Sequence, residues 1–220
     1  MTEIEISKLS QYIEEVESLP KGNSLLFRGH KSLEYKLIPS IGRKSFYEGN
    51  LENNERRIFK QFKDSSSAFL KSTPKNDWEW LALAQHYGLP TRLLDWTYNP
   101  LMALFFAVEY EYNQSSVVIA KKLIRVVDTE TQKPFEINEV LKYTPPLISE
   151  RINAQSGCFT VHPYPSEEYV TKGMTKFIIN SSDRRSIKQT LFKLGIRNRV
   201  VYPGLDGISK DINWLNTKEY

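Results

Sequence analysis

The most apolar part of this chain encloses its densest group of polar residues, which limits how the chain can fold. Residues 77–87 predict a helix that is apolar on most sides, and residues 101–112 predict a second one that is apolar almost all round. A helix of that kind is usually buried at the centre of a fold. The segment between them, residues 85–97, therefore brings histidine, threonine, arginine and aspartate side chains beside the core.

Two interpretations of this polar segment stay open. The first is a purely structural network, for example Arg92 paired with Asp95, or His86 capping the turn. The second is a functional site, because a loop that leaves one buried helix and leads into another is a natural place for one.

The remaining patterns predict a single α+β domain. Helices are predicted at residues 3–18, 51–71, 77–87, 101–112 and 183–194. Short strands are predicted at residues 25–27, 116–120, 157–162, 176–180 and 197–203. Helices dominate the first half and strands the second, without βαβ alternation, so α+β is favoured over a doubly wound sheet.

Composition excludes several classes of protein. A chain of 220 residues with 40% hydrophobic residues can build a core, and no apolar run approaches the ~20 residues of a membrane span. The single cysteine excludes a disulfide framework, and the three scattered histidines show no metal-binding spacing, so no metal is predicted. The acidic, amphipathic N-terminus is unlike a secretory signal, and we expect a cytoplasmic protein with no membrane partner.

Three further positions are individual candidates for a site. Arg28 ends a short apolar strand and is followed by Gly29, which suits a phosphate site, although strand ends at a surface commonly carry arginine. Gln155 precedes a strand, where a side chain often reaches a cleft, and a simple turn is the alternative. Cys158 lies between apolar residues and is expected to be inert packing.

Several of these motifs together resemble a known family. Leu-Phe-Arg-Gly-His at 26–30, followed by residues 35–40, resembles the opening of the FRG domain, which is named for its Phe-Arg-Gly motif. The likeness continues through residues 84–97, 99–100 and 103–107, and then at 151–152, 155, 157, 159–160, 195–196 and 202–208. It covers roughly residues 24–212, which implies an N-terminal helix at 1–22, an FRG domain at 23–212 and a tail at 213–220.

The layout of this family resembles that of ADP-ribosyltransferases, which implies helices around a small split mixed or antiparallel sheet and NAD as the substrate. In that arrangement Arg28 contacts the phosphate or ribose of NAD. The other expected NAD contacts are Gly29, His30, Thr91, Arg92 and Thr97. The expected catalytic residues are Asp95, Gln155 and His86.

The chain departs from the ADP-ribosyltransferase pattern at one position. In the resemblance the third strand normally supplies a glutamate. Gln155 takes that place here, and its uncharged side chain cannot act as a base. Either Asp95 or Glu150 takes the electrostatic role, or the chain binds NAD without transferring ADP-ribose.

The expected function is therefore a toxin or phage-defence effector that transfers ADP-ribose to RNA or DNA. Nucleic acid is favoured over protein as acceptor because of the net charge of +4. A toxin implies an antitoxin that covers the cleft. The alternatives are a non-catalytic module that binds nucleic acid or nucleotide, and an NAD glycohydrolase.

Overall fold

In this computed structural model the chain folds around one mixed sheet of seven strands. The structure describes residues 1–20, 22, 24–46, 48–70, 72–111, 113–146 and 154–217. Within them the strands are β1 (Thr2–Ile6), β2 (Leu25–His30), β3 (Leu93–Thr97), β4 (Ser116–Lys122), β5 (Leu141–Tyr143), β6 (Gly157–Val161) and β7 (Met174–Ile179). Their order across the sheet is β1-β7-β4-β2-β3-β6-β5. β1 runs parallel to β7, and the other neighbouring pairs are antiparallel.

Seven α-helices lie in the described part of the chain, four of them in the N-terminal half. They are α1 (Leu9–Glu17), α2 (Leu51–Ser66), α3 (Asp77–His86), α4 (Pro100–Val108), α5 (Ser181–Lys193), α6 (Asn198–Val201) and α7 (Leu205–Asn216). Short 3₁₀ turns cover Ser40–Arg43 and Ser67–Phe69. The predicted α+β class is confirmed.

The helices on either side of the polar segment begin within one residue of the predicted positions, but α4 ends at Val108 and not at 112. Asn99 caps α4 by accepting from the amide of Leu101 at 2.9 Å, and Pro100 occupies the first turn. Gly88 follows α3 with a φ of +87°, and the amide of Leu89 donates to the carbonyl of Ala84 at 2.9 Å. These local signals need no tertiary contact, which is why sequence patterns predict them well.

The sheet is divided between β2 and β3. These neighbours share one residue pair, Phe27 with Thr97, whereas β2 pairs with β4 along its whole length. One half of the sheet is therefore β1-β7-β4-β2 and the other is β3-β6-β5. Beyond Phe27 the two halves separate, and the side chain of Arg28 spans the gap between them.

Each half-sheet has its own layer of helices. An apolar cluster with α1, α4 and α5 packs against β2, β4 and β7, and a second cluster joins α2 and α3 to β3, β5 and β6. A third cluster contains Leu26 and Ile119 from one half together with Leu94 and Cys158 from the other. The two halves therefore share a common apolar seam, which holds the cleft between them in a fixed shape.

The N-terminal segment corrects the predicted helix at 3–18. Residues 2–6 form β1, which pairs with β7, and the helix begins only at Leu9. Ile4 and Ile6 are two residues apart, a strand period that overlaps the helical spacing of the apolar residues after them. Tyr12 on α1 is fully buried, and its hydroxyl donates to the carbonyl of Pro100 at 2.9 Å.

The C-terminal segment corrects the strand predicted at 197–203. Residues 198–201 are α6, and α7 begins directly after Gly204. Asp211 is fully buried and accepts from the amide of Asn198 at 2.9 Å and from Nε of Arg199 at 2.8 Å. A carboxylate thirteen residues away thus stabilises the start of α6, against the strand preference of Val200 and Val201. Among the described helices, none has the length and apolar character needed to cross a membrane.

Candidate functional site

A cleft of about 420 Å³ lies where β2 and β3 separate. Its walls come from the end of β2, the middle of β3, α4 and the segment that follows β2. The described residues that line it are Phe27, Arg28, Gly29, His30, Lys31, Tyr35, Lys36, Arg43, Asp95, Trp96, Thr97, Phe106, Tyr110 and Gln155. The volume falls within the roughly 300–1,000 Å³ typical of ligand pockets.

Arg28 bridges the divided sheet at the bottom of this cleft. Its Nη1 donates to the backbone carbonyl of Asp95 and lies 3.6 Å from Oδ2 of the same residue. Its Nε donates to Nε2 of His30 at 2.8 Å. The side chain is 19% exposed, and its Nη2 has no hydrogen-bond partner among the described residues. Arg28 therefore presents a fixed guanidinium edge to a bound ligand.

His30 holds Arg28 in place. Because Nε2 of His30 accepts the hydrogen bond from Arg28, the ring proton is on Nδ1, which donates to the carbonyl of Tyr35 at 3.1 Å. Burial, reinforced by the charge of Arg28, lowers the pKa of His30 from 6.5 to about 3. At neutral pH the ring of His30 is therefore uncharged. It supports Arg28 and does not exchange protons with a ligand.

A second buried histidine lies close to this wall. Thr160 accepts from the indole Nε1 of Trp96 at 2.9 Å, and its hydroxyl lies 2.8 Å from Nε2 of His162. Burial, with the charges of Arg28 and Arg92, lowers the pKa of His162 to about 4. The chain from His162 through Thr160 orients Trp96, which lines the cleft.

We expect the protein to lose stability as the pH falls from about 7.5 to about 5.5. In the unfolded chain both histidines bind a proton near pH 6.5, whereas in the folded protein their pKa values are lowered. Over this window the unfolded state therefore binds more protons, and each histidine is expected to lower the free energy of unfolding by about 1.4 kcal/mol.

Urea midpoints measured across this pH range test the expectation. His30→Gln and His162→Gln should each flatten the dependence on pH. The matched control is His86→Gln, which changes a histidine that is only partly buried. Equal pH dependence in the parent and in both buried-site variants would contradict the expectation.

Asp95 supplies the carboxylate that faces the cleft, and it is the only one among the described lining residues. Nε2 of Gln85 donates to its Oδ1 at 3.1 Å, and Oε1 of Gln85 accepts from the hydroxyl of Thr91. The side chain of Asp95 is 63% exposed. Asp95 is thus oriented by Gln85 and Arg28 but stays open to solvent and to a ligand.

Thr91, Arg92 and His86 are not brought into the cleft. Arg92 is buried and bonds to Glu55 of α2, with Nη2 to Oε2 at 2.6 Å and Nε to Oε1 at 3.1 Å. Thr91 is also buried, where its hydroxyl meets Gln85. The ring of His86 packs against that of Tyr87. Arg92 and Thr91 are therefore absent from the described cleft lining, and their polar groups are paired inside the protein.

Gln155 and Thr97 also line the cleft. The hydroxyl of Thr97 donates to the carbonyl of Gln155 at 2.6 Å and accepts from the amide of Asn99 at 3.0 Å. Nε2 of Gln155 donates to the carbonyl of Val201 at 2.9 Å, which ties this wall to α6. The alternative carboxylate considered above, Glu150, lies outside the described residues.

Gly29 lines the cleft and also lets a helix come close to β2. A Cβ atom on Gly29 would lie 1.9 Å from the carbonyl oxygen of Ala103 and 2.7 Å from the amide of Ala107. The glycine therefore allows α4 to pack directly on β2, while its expected contact with NAD stays a prediction. Both alanines belong to the motif at 103–107, so the small residues on the two elements match each other.

Four cations line the cleft, and three of them were not singled out from the sequence. They are Lys31, Lys36 and Arg43, in addition to Arg28. Burial lowers the pKa of Arg28, the carboxylate of Asp95 opposes this effect, and the positive charge of Arg43 adds a smaller lowering. The sequence gives only a weak signal that these cations share a site. Lys31 and Lys36 flank a short segment after the Arg-Gly step, and Arg43 is the last residue of the 3₁₀ turn at Ser40–Arg43.

Two other features bear on the chemistry of the site. Burial raises the pKa of the Cys158 thiol to about 12, with a smaller opposing effect from a hydrogen bond with Tyr98. This agrees with inert packing. In the described part of the chain no three histidine, cysteine, aspartate or glutamate side chains are grouped closely enough to hold a metal ion.

Comparison with known proteins gives one match. Residues 23–116 match the family model of the FRG domain. No curated protein and no solved structure matches the chain. The described residues that line the cleft fall within the matched segment, except for Gln155.

Proposed function

We propose, from the premise that this chain belongs to the FRG domain family over residues 23–116, that its cleft binds NAD and transfers the ADP-ribose part to an acceptor. The observation that carries the proposal is the composition of the cleft at the division of the sheet. Four cations, five aromatic rings and one carboxylate line one space. That combination suits a ligand with phosphates and flat rings.

The phosphates of NAD are assigned to Arg28 and Arg43. Arg28 is held rigidly by His30 and Asp95, so little side-chain entropy is lost when its free edge binds an anion. Arg43 is exposed, and within the described residues it has no carboxylate partner. Two guanidinium groups in a cleft whose described lining holds one carboxylate favour a doubly charged pyrophosphate over a neutral ligand.

The flat parts of NAD are assigned to the aromatic walls. Trp96 and Phe27 lie beside Arg28 along the divided strands, and Phe106 contributes from α4. Trp96 is fixed by its bond to Thr160. Phe27 and Trp96 are each 3% exposed, so the surface on which a planar ligand group can stack is the partly exposed ring of Phe106.

The reaction breaks the bond between C1′ of the ribose and the nicotinamide nitrogen. The electron pair of that bond goes to the nitrogen, which becomes neutral, and an acceptor atom forms a new bond to C1′ and loses its proton. Asp95 is assigned the stabilisation of the positive charge that develops at C1′ and the uptake of that proton. Gln155, which also lines the cleft, is assigned a hydrogen bond to the ribose.

The acceptor is proposed to be RNA or DNA, and the protein a cytoplasmic toxin or phage-defence effector whose antitoxin covers the cleft. The support is the positive charge at the cleft mouth, where Lys31, Lys36 and Arg43 lie together. Water in place of the acceptor gives an NAD glycohydrolase.

A second candidate function is nucleotide binding without transfer. The observation that favours it is that both groups assigned to the chemistry are already engaged: Asp95 with Arg28 and Gln85, and Gln155 with the carbonyl of Val201. A carboxylate engaged in this way stabilises a developing cation less than an unpaired one does.

Incubation with NAD labelled in its adenylate part separates these functions. Label on RNA, DNA or protein supports transfer, free nicotinamide without label supports hydrolysis, and binding without either product supports the second candidate. Arg28→Gln and Asp95→Asn are each expected to lower the rate of nicotinamide release by roughly 100-fold.

Arg125→Gln is the matched control for Arg28→Gln, since Arg125 is 70% exposed and paired with Glu139 away from the cleft. It should leave the rate unchanged. Thermal melting of every variant checks that each one folds. Folded Arg28→Gln and Asp95→Asn variants that release nicotinamide at the parent rate would contradict the proposal.

A further inference from the structure

A second, smaller hollow of about 210 Å³ lies next to the cleft. Tyr35 and Lys36 line both spaces, so they form a common wall. A group bound in this hollow would lie directly beside the ligand of the cleft. The hollow is smaller than the roughly 300–1,000 Å³ of sites for drug-sized ligands, and its size suits one small ring system.

The hollow has an apolar floor and a polar rim. Its floor includes the buried residues Leu37, Ile119 and Met174 of the seam between the half-sheets. Its rim carries the exposed carboxylates Glu34 and Glu168. The segment around Tyr169 is tied to Leu37 by a backbone hydrogen bond of 2.9 Å, so the hollow is built on ordered chain. An apolar slot with acceptors at its edge suits a nucleobase, whose amino groups donate.

The mouth shared by the two spaces is cationic and aromatic. Nζ of Lys31 lies 5.9 Å from the ring centre of Tyr35 and 6.0 Å from that of Tyr110. Both rings are exposed, at 44% and 52%. Lys36 is exposed on the common wall and has no carboxylate partner among the described residues. Alternating cations and exposed rings are typical of surfaces that bind single-stranded nucleic acid.

We infer that the second hollow and its mouth bind a single-stranded nucleic acid, with one unpaired base against Tyr35 and the neighbouring phosphate on Lys36. The base must be unpaired because the hollow admits one ring system and a base within a duplex is stacked and paired. This assignment deepens the proposed function and rests on it for the transfer step. Binding of the nucleic acid does not need NAD and is measured separately.

Binding is tested with fluorescently labelled 12-nucleotide RNA and DNA of the same sequence, single-stranded or annealed, without NAD. Fluorescence anisotropy should show tighter binding of the single strands than of the duplexes. Tyr35→Ala is expected to weaken binding about tenfold or more, whereas Tyr35→Phe keeps the ring and should keep the affinity. Comparing the affinities for RNA and DNA shows whether the protein distinguishes ribose from deoxyribose.

The salt dependence of oligonucleotide binding tests whether Lys36 contacts a phosphate. A purely structural role of Lys36 would leave this dependence unchanged. The slope of log K against log salt is about −0.7 for each phosphate contact with a single strand, so Lys36→Gln should reduce it by about 0.7. Tyr164→Ala and Lys193→Gln are matched controls, because Tyr164 is exposed and Lys193 lines a hollow with Trp214 on another face. Both controls should bind as the parent does.

Two results separate a failure of this inference from a failure of the proposed function. Arg28→Gln should keep its affinity for the oligonucleotide while losing nicotinamide release, and saturating NAD should not displace the oligonucleotide. Equal affinity for duplexes, displacement by NAD, or parental binding by Tyr35→Ala would overturn the inference. The inference would also be overturned if label were transferred to protein in a lysate while neither oligonucleotide bound.

Discussion

Gly29→Ala is expected to lower the free energy of unfolding by about 3 kcal/mol or more. The new methyl group would lie 1.9 Å from the carbonyl oxygen of Ala103, which belongs to the backbone of α4. A backbone atom cannot rotate away, so α4 and β2 have to separate. Because α4 is buried on β2 at the centre of the largest apolar cluster, that separation exposes apolar surface. Urea unfolding followed by far-UV circular dichroism measures the change.

Gly173→Ala is the matched control for this variant. Nothing lies within 4 Å of a Cβ atom on Gly173, but its φ of +74° is one that alanine rarely adopts. The control therefore carries a backbone cost of roughly 1–2 kcal/mol and no steric conflict. If Gly29→Ala is no less stable than Gly173→Ala, the close approach of α4 does not explain the glycine.

Glu55→Gln is expected to lower the free energy of unfolding by about 3–5 kcal/mol, because it leaves the buried guanidinium of Arg92 without its counter-charge. The two side chains are 1% and 4% exposed. Glu55 also accepts from the backbone amide of Arg92 at 3.1 Å, and Nη1 of Arg92 donates to the carbonyl of Pro134 at 3.3 Å. The pair thus joins α2, the start of β3 and the segment before β5. Urea midpoints measure the loss.

Glu52→Gln provides the control on the same helix. Glu52 pairs with Arg56 at 3.3 Å, but both side chains are largely in solvent, so the expected change is below about 1 kcal/mol. The double variant Glu55→Leu with Arg92→Met removes both buried charges and should recover part of the stability lost in Glu55→Gln. Similar losses for Glu52→Gln and Glu55→Gln would contradict a stabilising role for the buried pair.

The buried pair also bears on the two interpretations of the polar segment. For Arg92 and Thr91 the structural interpretation applies, although the partner of Arg92 is Glu55 and not the nearby Asp95. For Asp95 the side chain faces the cleft, as a functional site requires. The side chains of successive residues in a strand point to opposite faces of the sheet. Which of these side chains borders a cleft depends on where β2 and β3 separate.

The elements with the strongest local signals were predicted correctly. The helices at 77–86 and 100–108 each begin at an asparagine cap, and a glycine follows the first helix. Each cap forms its hydrogen bonds with residues only a few positions away in the sequence. By contrast, β1 forms because β7 offers it a pairing edge, and α6 because Asp211 caps it. Neither partner is close in sequence, so patterns in residues 2–6 or 198–201 carry too little information.

The sequence by itself determined the α+β class, the match of residues 23–116 to the FRG domain and the candidate pair Arg28 and Asp95, because each depends on local periodicity or on a contiguous motif. Only the tertiary structure decided that Arg43, Lys31 and Lys36 join Arg28 around one cleft, and that Arg92 is turned inward to Glu55. The physical reason is that charge–charge contacts and cavities depend on distances between segments far apart in the chain. Those distances follow from how the two half-sheets separate beyond Phe27 and Thr97.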